Sequence, residues 1–306
     1  MKNIFPVFVI VLFSMILTAR VDAQSMKPEN PDVFLSSNAV VNGVNIHYYA
    51  GGKGELLVLI HGFGENAYMW NRIFPELGKH FFVVAPELRG IGESGKPDSG
   101  YDKMTMAADI HELVKKLGFK SAYVVGHDIG LMVAYAYAAQ YGDEVKKLVL
   151  MDAPIPGIEP VWGQKKATAW WFGFFNWRTS DEIVKGKESE FLNGFWQISM
   201  HKKNSFTEEE KDSFIRAYSE PGAMQRSFEW YRSFQQDSVD NMKFKRHMLR
   251  MPVLAMGGAY SAAHIADQIQ VVASTVRVNI IEESGHWLVE EQPEHVTQAL
   301  LQFLQE

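Results

Sequence analysis

Short apolar runs rich in valine, isoleucine and leucine recur along the chain, and amphipathic segments separate several of them. The runs predict β-strands at 56–60, 81–85, 122–125, 148–151, 253–255 and 276–281. Helical spacing is clear at 104–117 and at 294–303, where Val296, Leu300 and Phe303 share one face. Alternating strands and helices indicate an α/β fold with a mostly parallel central sheet flanked by helices.

This alternation stops between residues 154 and 247. The stretch is rich in tryptophan, phenylalanine and charged residues with helix-compatible spacing, and it shows no clear strand pattern. Strand-like runs resume only near residue 253. We therefore expect a helical cap at 154–247, inserted into a core that is formed by 24–153 and 248–306.

The N-terminus has a different pattern. Lys2 precedes an apolar run at 4–17, and Val21-Asp22-Ala23 offers small residues before a cleavage point. The run is short for a bilayer span, so we interpret 1–23 as a signal peptide rather than as a membrane anchor. The mature protein is expected to be exported, periplasmic or secreted, without membrane association, and 24–36 is predicted to be a flexible lead-in.

Composition narrows the chemistry. The 306 residues are 47% hydrophobic and 22% charged, which suits one large core. The chain has no cysteine, which excludes disulfides, thiolate catalysis and cysteine metal sites. A net charge of −6 with scattered lysines gives no indication of nucleic-acid binding. No spaced cluster of histidines and carboxylates is evident, so neither a metal nor another cofactor is expected.

One sequence motif has the form of a nucleophile turn. In "VVGHDIGLMVAYAYA" an apolar run leads into Gly126-His127-Asp128-Ile129-Gly130 and then into an alanine-rich helical pattern. A sharp strand-to-helix turn needs small residues on both sides of its apex, and Gly126 and Gly130 supply them. Asp128 would then be presented at the carboxyl edge of the sheet. The alternative is an aspartate that only caps the helix.

Two more motifs follow predicted strands. "LVLIHGFGENAYMW" places His61-Gly62-Phe63-Gly64 after a strand, where a backbone amide can point at the reacting centre. We take the amides of Phe63 and Ile129 as the candidate oxyanion hole. "EESGHWLVEEQPE" places His286 after the last strand, and the order nucleophile, acid, histidine is the one expected for this architecture.

These motifs, with "MDAPIP" and "SFEWYR", resemble the α/β-hydrolase fold over nearly the whole mature chain. Within that fold they resemble the branch whose nucleophile is aspartate, which contains epoxide hydrolases and haloalkane and haloacetate dehalogenases, and the combination is most similar to secreted epoxide hydrolases. A carboxylate can attack a saturated carbon without a base. Asp128 would form an alkyl ester, which His286-activated water would hydrolyse.

The acid that orients His286 has two candidates. Asp152 ends the strand "KKLVLMD", at the position where some relatives carry their acid. Asp267 lies farther along, in a predicted helix, whereas "VLAMGGAYSAAH" contains no carboxylate. We choose Asp152 and keep Asp267 as the alternative.

The leaving group stays open. The resemblance makes Tyr231, in "MQRSFEWYRSFQQD", the donor to an epoxide oxygen, but Trp171 stands where epoxide hydrolases carry histidine. An indole donates a hydrogen bond without acting as an acid, and tryptophans hold halide in dehalogenases. Haloacetate dehalogenases carry arginines just after the nucleophile to hold the substrate carboxylate. This chain has no arginine at those positions, which argues against a carboxylate substrate. Trp170, Trp171 and His61 are expected to contact substrate.

The leading hypothesis is an exported epoxide hydrolase that converts a small apolar epoxide to a vicinal diol. One alternative is a dehalogenase of a neutral alkyl halide with the same ester mechanism. Another is a non-catalytic ligand-binding or effector protein with this fold. The oligomeric state is open, a dimer included.

Overall fold

The computed structural model describes residues 34–261 and 265–306. The signal peptide predicted at 1–23 lies outside the described residues. Among the helices that are described, none is both long and apolar enough to cross a membrane. The lead-in predicted at 24–36 is wrong at its end, because Leu35 and Ser36 already belong to a strand.

Eight strands form one sheet with the order β1-β2-β4-β3-β5-β6-β7-β8. Their bounds are β1 Leu35–Val41, β2 Val44–Gly52, β3 Glu55–Ile60, β4 Phe81–Pro86, β5 Ala122–His127, β6 Val145–Met151, β7 Val253–Gly258 and β8 Val276–Ile281. β1 and β2 pair antiparallel, as do β2 and β4. The remaining neighbours, in the order β4-β3-β5-β6-β7-β8, all pair parallel. The mostly parallel α/β-hydrolase sheet is therefore present.

Parallel register brings the carboxyl ends of the central strands to one edge. Ile60 pairs with Gly126 across β3 and β5, and His127 pairs with Met151 across β5 and β6. The segments that follow these three strands consequently start side by side. Ligand sites of open α/β sheets are found at this edge.

Helices cover both the sheet and its carboxyl edge. In the core they are α1 Phe74–Gly78, α2 Lys103–Lys116, α3 Ile129–Gln140, α11 Ile265–Val272, α12 Leu288–Glu291 and α13 Pro293–Gln305. Short 3₁₀ helices lie at Ala67–Arg72 and Gly142–Glu144. Helix α3 is buried from Ile129 to Ala138, which explains why its sequence is apolar on every face.

Seven helices lie between β6 and β7: α4 Val161–Thr168, α5 Trp170–Asn176, α6 Ser180–Val184, α7 Glu188–Ser199, α8 Glu208–Ser219, α9 Ala223–Arg232 and α10 Phe234–Phe244. Aromatic side chains join this cap to the core: Phe175 stacks on Phe228 at 4.5 Å and packs against Phe63 of the core at 4.9 Å. The cap thus covers the loop that follows β3.

Candidate active site

Asp128 occupies the apex of the turn between β5 and α3. Its φ of 51° and ψ of −119° are strained for a residue with a side chain, and the side chain makes no capping hydrogen bond to α3. A Cβ on Gly126 would lie 2.1 Å from the Gly130 carbonyl oxygen, and one on Gly130 would lie 2.1 Å from that of Ile60. The two glycines therefore permit the turn, and the helix-cap interpretation of Asp128 fails.

The loop after β3 touches the same carboxylate. The Phe63 amide donates a hydrogen bond to Asp128 Oδ1 at 2.9 Å. Gly62 allows this approach, because a Cβ there would lie 2.4 Å from Asp128 Cβ. Ile129 begins α3, so its amide is one of the helix N-terminal donors without an intrahelical acceptor. Its place in an oxyanion hole stays a prediction.

His286 links the two carboxylates at this edge. Its Nδ1 lies 2.8 Å from Asp152 Oδ2, and its Nε2 lies 3.7 Å from Asp128 Oδ2. Because a carboxylate only accepts, Nδ1 donates to Asp152, and Nε2 is the ring nitrogen that faces Asp128. Asp267, the alternative acid, is exposed on α11. The structure therefore pairs His286 with Asp152.

Ser261 is a site residue that the sequence reasoning missed. Its hydroxyl lies 2.7 and 2.9 Å from the two oxygens of Asp152 and donates to that carboxylate. Ser261 lies just after β7, in a segment that contains no carboxylate. A hydroxyl at this strand end was the available signal.

A cavity of about 40 Å³ adjoins these groups. Its walls include Phe63, Asp128, Met132, Asp152, Lys165, Trp171, Phe172, Phe195, Tyr231 and His286. Tyr231 is buried, and burial together with the charge of Asp128 raises the pKa of its phenol well above the ordinary value. The hydroxyl is therefore protonated at neutral pH and can donate to a ligand.

Two of the predicted substrate contacts, Trp170 and His61, do not line this cavity. Trp170 is 57% exposed, lies outside the walls of the cavity and packs against the neighbouring Trp171 ring. His61 is fully buried, with Nδ1 bonded to the Gly62 carbonyl and Nε2 accepting from the Leu88 amide. Burial lowers the pKa of His61 to about 4, so the neutral ring braces the loop after β3 instead of contacting substrate.

A buried pair behind His286 was also missed. His127 Nε2 lies 2.8 Å from the His286 carbonyl oxygen, and Nδ1 lies 3.1 Å from Glu65 Oε2. Burial acts to lower the pKa of His127, but the Glu65 carboxylate outweighs it and raises the pKa to about 9. Both ring nitrogens donate to oxygen, so His127 is an imidazolium.

That protonation state bears on metal binding. Ligand atoms of His127, Asp152 and His286 lie within 4.8 Å of one another. A metal ligand needs a free nitrogen lone pair, which His127 lacks, and His286 Nδ1 carries a proton. The set is hydrogen-bonded in a way that suits proton transfer.

Comparison with known proteins agrees with this geometry. Residues 55–293 match the family described as alpha/beta hydrolase fold. The soluble epoxide hydrolase of Corynebacterium sp. (strain C12) is 34% identical over 275 residues, covering 87% of this chain and 95% of its own. The fluoroacetate dehalogenase of Burkholderia sp. is 28% identical over 284 residues, covering 86% of this chain and 91% of its own.

A crystal structure is similar as well. The Cif epoxide hydrolase from Acinetobacter nosocomialis superimposes with a TM-score of 0.82 at 27% identity, over 89% of each chain. The fold and these relatives support a hydrolase over a non-catalytic protein with this fold. The chain belongs to the α/β hydrolase fold family and is a hydrolase similar to epoxide hydrolases.

Proposed function

We propose that this protein is an exported epoxide hydrolase that converts an apolar epoxide to a vicinal diol through an ester of Asp128. The observation that carries the proposal is the shared cavity, whose walls include the Asp128 carboxylate and the Tyr231 phenol. Within the described residues no protein group is hydrogen-bonded to the Tyr231 hydroxyl, which leaves it available for a substrate oxygen.

In the first step an Asp128 oxygen attacks one carbon of the epoxide and the carbon–oxygen ring bond breaks. The Tyr231 hydroxyl gives its proton to the oxygen that leaves the ring. The charge of Asp128 contributes to the raised pKa of Tyr231. Ester formation removes the negative charge of Asp128 and so lowers the pKa of the Tyr231 phenol during the step in which the phenol gives up its proton.

In the second step His286 Nε2 takes a proton from water, and the hydroxide attacks the ester carbonyl carbon of Asp128. The Phe63 amide, already 2.9 Å from Oδ1, stabilises the oxyanion. Asp152 stabilises the imidazolium of His286. The ester bond breaks, the diol leaves with the carboxyl proton, and the proton on His286 restores Tyr231, so charge and protons balance.

A dehalogenase of neutral alkyl halides is the second candidate, favoured by Trp171 and Lys165 in the cavity wall. An indole N–H and an ammonium group both stabilise a departing halide. Here the attack of Asp128 would release halide, and Tyr231 would keep its proton. The same ester would follow and water would hydrolyse it in the same way, except that the proton on His286 would pass to solvent instead of to Tyr231.

The test uses the His286→Gln variant, which should form the ester and fail to hydrolyse it. The variant is incubated separately with styrene oxide and with butyl bromide, and intact mass and the modified peptide are recorded. We expect Asp128 to gain the whole mass of styrene oxide. If Asp128 gains only a butyl group, from butyl bromide, the dehalogenase is favoured. If both adducts form, the rate of diol formation by the wild type decides between the two activities.

An Asp128→Asn change in the His286→Gln background is the matched control and should give no adduct. Absence of any adduct at Asp128 from a folded His286→Gln protein, together with no diol from the wild type, would refute the proposed function. Folding is checked by the thermal unfolding midpoint of each variant.

Export is a separate part of the proposal and rests on the pattern of residues 1–23. We expect the protein recovered from the periplasm or medium of a Gram-negative host to begin at Gln24. A full-length protein retained inside the cell would contradict export and would leave the catalytic proposal unaffected. N-terminal peptide mass measures the outcome.

A further inference from the structure

The catalytic cavity is too small for the substrates its chemistry suits. Its volume of about 40 Å³ is close to the ~30 Å³ that one water molecule takes up in the liquid. Pockets for small organic ligands have volumes of roughly 300–1,000 Å³. An epoxide with more than a short side chain must therefore extend into other space.

A larger space of about 880 Å³ lies next to it in the cap. We call it the cap groove, and its walls include Trp162, Phe172, Gly173, Phe234, Val239 and Met242. Val239 and Met242 of α10 are 49% and 62% exposed, so α10 presents apolar side chains to the groove without a protein partner covering them.

The groove and the catalytic cavity share two wall residues, Phe172 and Tyr231, whose rings stand between the two spaces. Tyr231 supplies the hydroxyl of the proposed reaction, so Phe172 is the shared residue that can be changed without removing that hydroxyl. That ring packs against Phe234 at 5.1 Å, Trp162 at 5.6 Å and Tyr231 at 5.7 Å. Phe172 therefore separates the two spaces, and a change in its side chain alters the passage between them.

We propose that the cap groove is the subsite for the distal aliphatic or aryl part of the substrate, with Phe172 as the residue that determines how large that part can be. This inference rests on the proposed Asp128 chemistry and adds the location of the rest of the substrate. An apolar occupant fits because Arg232, one of the charged wall residues, is already paired with Asp181 at 2.7 Å. The other charged wall residues, Glu159, Lys166 and Lys245, are exposed to solvent.

Gly173 allows the groove to be filled without disturbing the core. It lies in α5 in the groove wall, and a Cβ there would meet no atom within 4 Å. Gly173→Trp should lower the ratio of kcat/KM for octene oxide to kcat/KM for propylene oxide about tenfold, the scale of lost apolar contacts in a pocket. Diol formation from each epoxide is measured.

Gly194→Trp is the matched control. Gly194 is also a helical glycine with open space around it, but it lies in α7 outside the groove wall. We expect the ratio of the two kcat/KM values to equal that of the wild type. If both glycine variants lowered the ratio equally, the effect would come from placing a bulky residue in a helix or from altered folding. That result would overturn the subsite.

Phe172→Ala tests the opposite direction, since it widens the passage. We expect kcat/KM for a branched epoxide to rise at least severalfold relative to propylene oxide. Phe172→Leu, a smaller change in volume, should give an intermediate value and serves if the alanine variant fails to fold. No change of preference in a folded Phe172 variant would overturn its role.

The two proposals can fail separately. An unchanged octene oxide to propylene oxide ratio in folded Gly173→Trp overturns the subsite and leaves epoxide hydrolysis standing. If the wild type hydrolyses neither epoxide, the proposed function fails, and the same variants are compared with octyl and propyl bromide. A tenfold fall in that ratio would support the groove for halides, and no turnover of the bromides would overturn both proposals.

Discussion

At the scale of single residues, Asp152 decides which nitrogen of His286 can act as a base. Its carboxylate accepts from His286 Nδ1 at 2.8 Å and leaves Nε2 facing Asp128. In Asp152→Asn the amide can donate to Nδ1, which moves the proton to Nε2 and removes the lone pair that water needs. We expect ester hydrolysis to slow by up to about 10⁴-fold, the loss that the same change causes in a serine triad.

Alkylation should slow far less in Asp152→Asn, because Asp128 attacks without a base. Single-turnover reactions with mass detection of the alkyl-enzyme separate the two steps. Asp267→Asn, on the exposed face of α11, is the matched control and should leave both rates unchanged. A slowing of alkylation equal to that of hydrolysis would contradict the assignment of Asp152.

The glycine-flanked turn and the loop after the last strand predicted Asp128 and His286, and the resemblance to relatives predicted Asp152 and Tyr231. The structure brings all four to one cavity. Contacts made by residues outside these motifs were not predicted. Ser261 meets Asp152 across 109 residues, and Glu65 meets His127 across 62. The directions of the His61 and Trp170 side chains depend on such packing, and no local pattern encodes it.

At the scale of elements, the apolar runs predicted six of the strands, β3 to β8, but they did not predict β1 and β2. β1 is an edge strand with the sequence LSSNAVV, and half-exposed edge strands lack a continuous apolar run. The Asn42-Gly43 turn, with φ of 47° and 76°, was the available signal for this hairpin. The helical nature of 154–247 was visible in the sequence, whereas its packing on the core was not.

One buried ion pair fixes the cap to the core. Lys103, at the start of α2, lies 2.8 Å from Asp237 Oδ2 of α10 and donates to the Trp230 carbonyl at 2.6 Å. Lys103→Met would leave the buried carboxylate of Asp237 without its cation, at a cost of about 3–5 kcal/mol in the free energy of unfolding. Urea unfolding measures the loss, and limited proteolysis shows whether the cap is released.

The double variant Lys103→Met/Asp237→Leu removes both charges and should recover most of that stability, because no buried charge is left unpaired. If the single and double variants were equally unstable, the loss would come from packing rather than from the unpaired carboxylate. The matched comparison therefore isolates the electrostatic part of cap docking.

At the scale of the whole molecule, three distant segments meet at the buried His127 imidazolium. Glu65 belongs to the loop after β3, His127 ends β5, and the His286 carbonyl belongs to the loop after β8. Because His127 is charged at this buried position, the stability of the fold should depend on pH. The Glu65 carboxylate outweighs burial and raises the pKa of His127 from 6.5 to about 9.

The sign of the resulting pH dependence follows from linkage. The pKa of folded His127 lies above its unfolded value, so its contribution to stability is complete below pH 6.5 and is lost as pH rises through about 9. A shift of this size corresponds to about 3 kcal/mol. The difference in unfolding free energy between the wild type and His127→Gln should therefore shrink from pH 6 to pH 10, measured by urea unfolding at each pH. A difference that stayed constant between pH 6 and pH 10 would contradict a raised pKa of His127 in the folded protein.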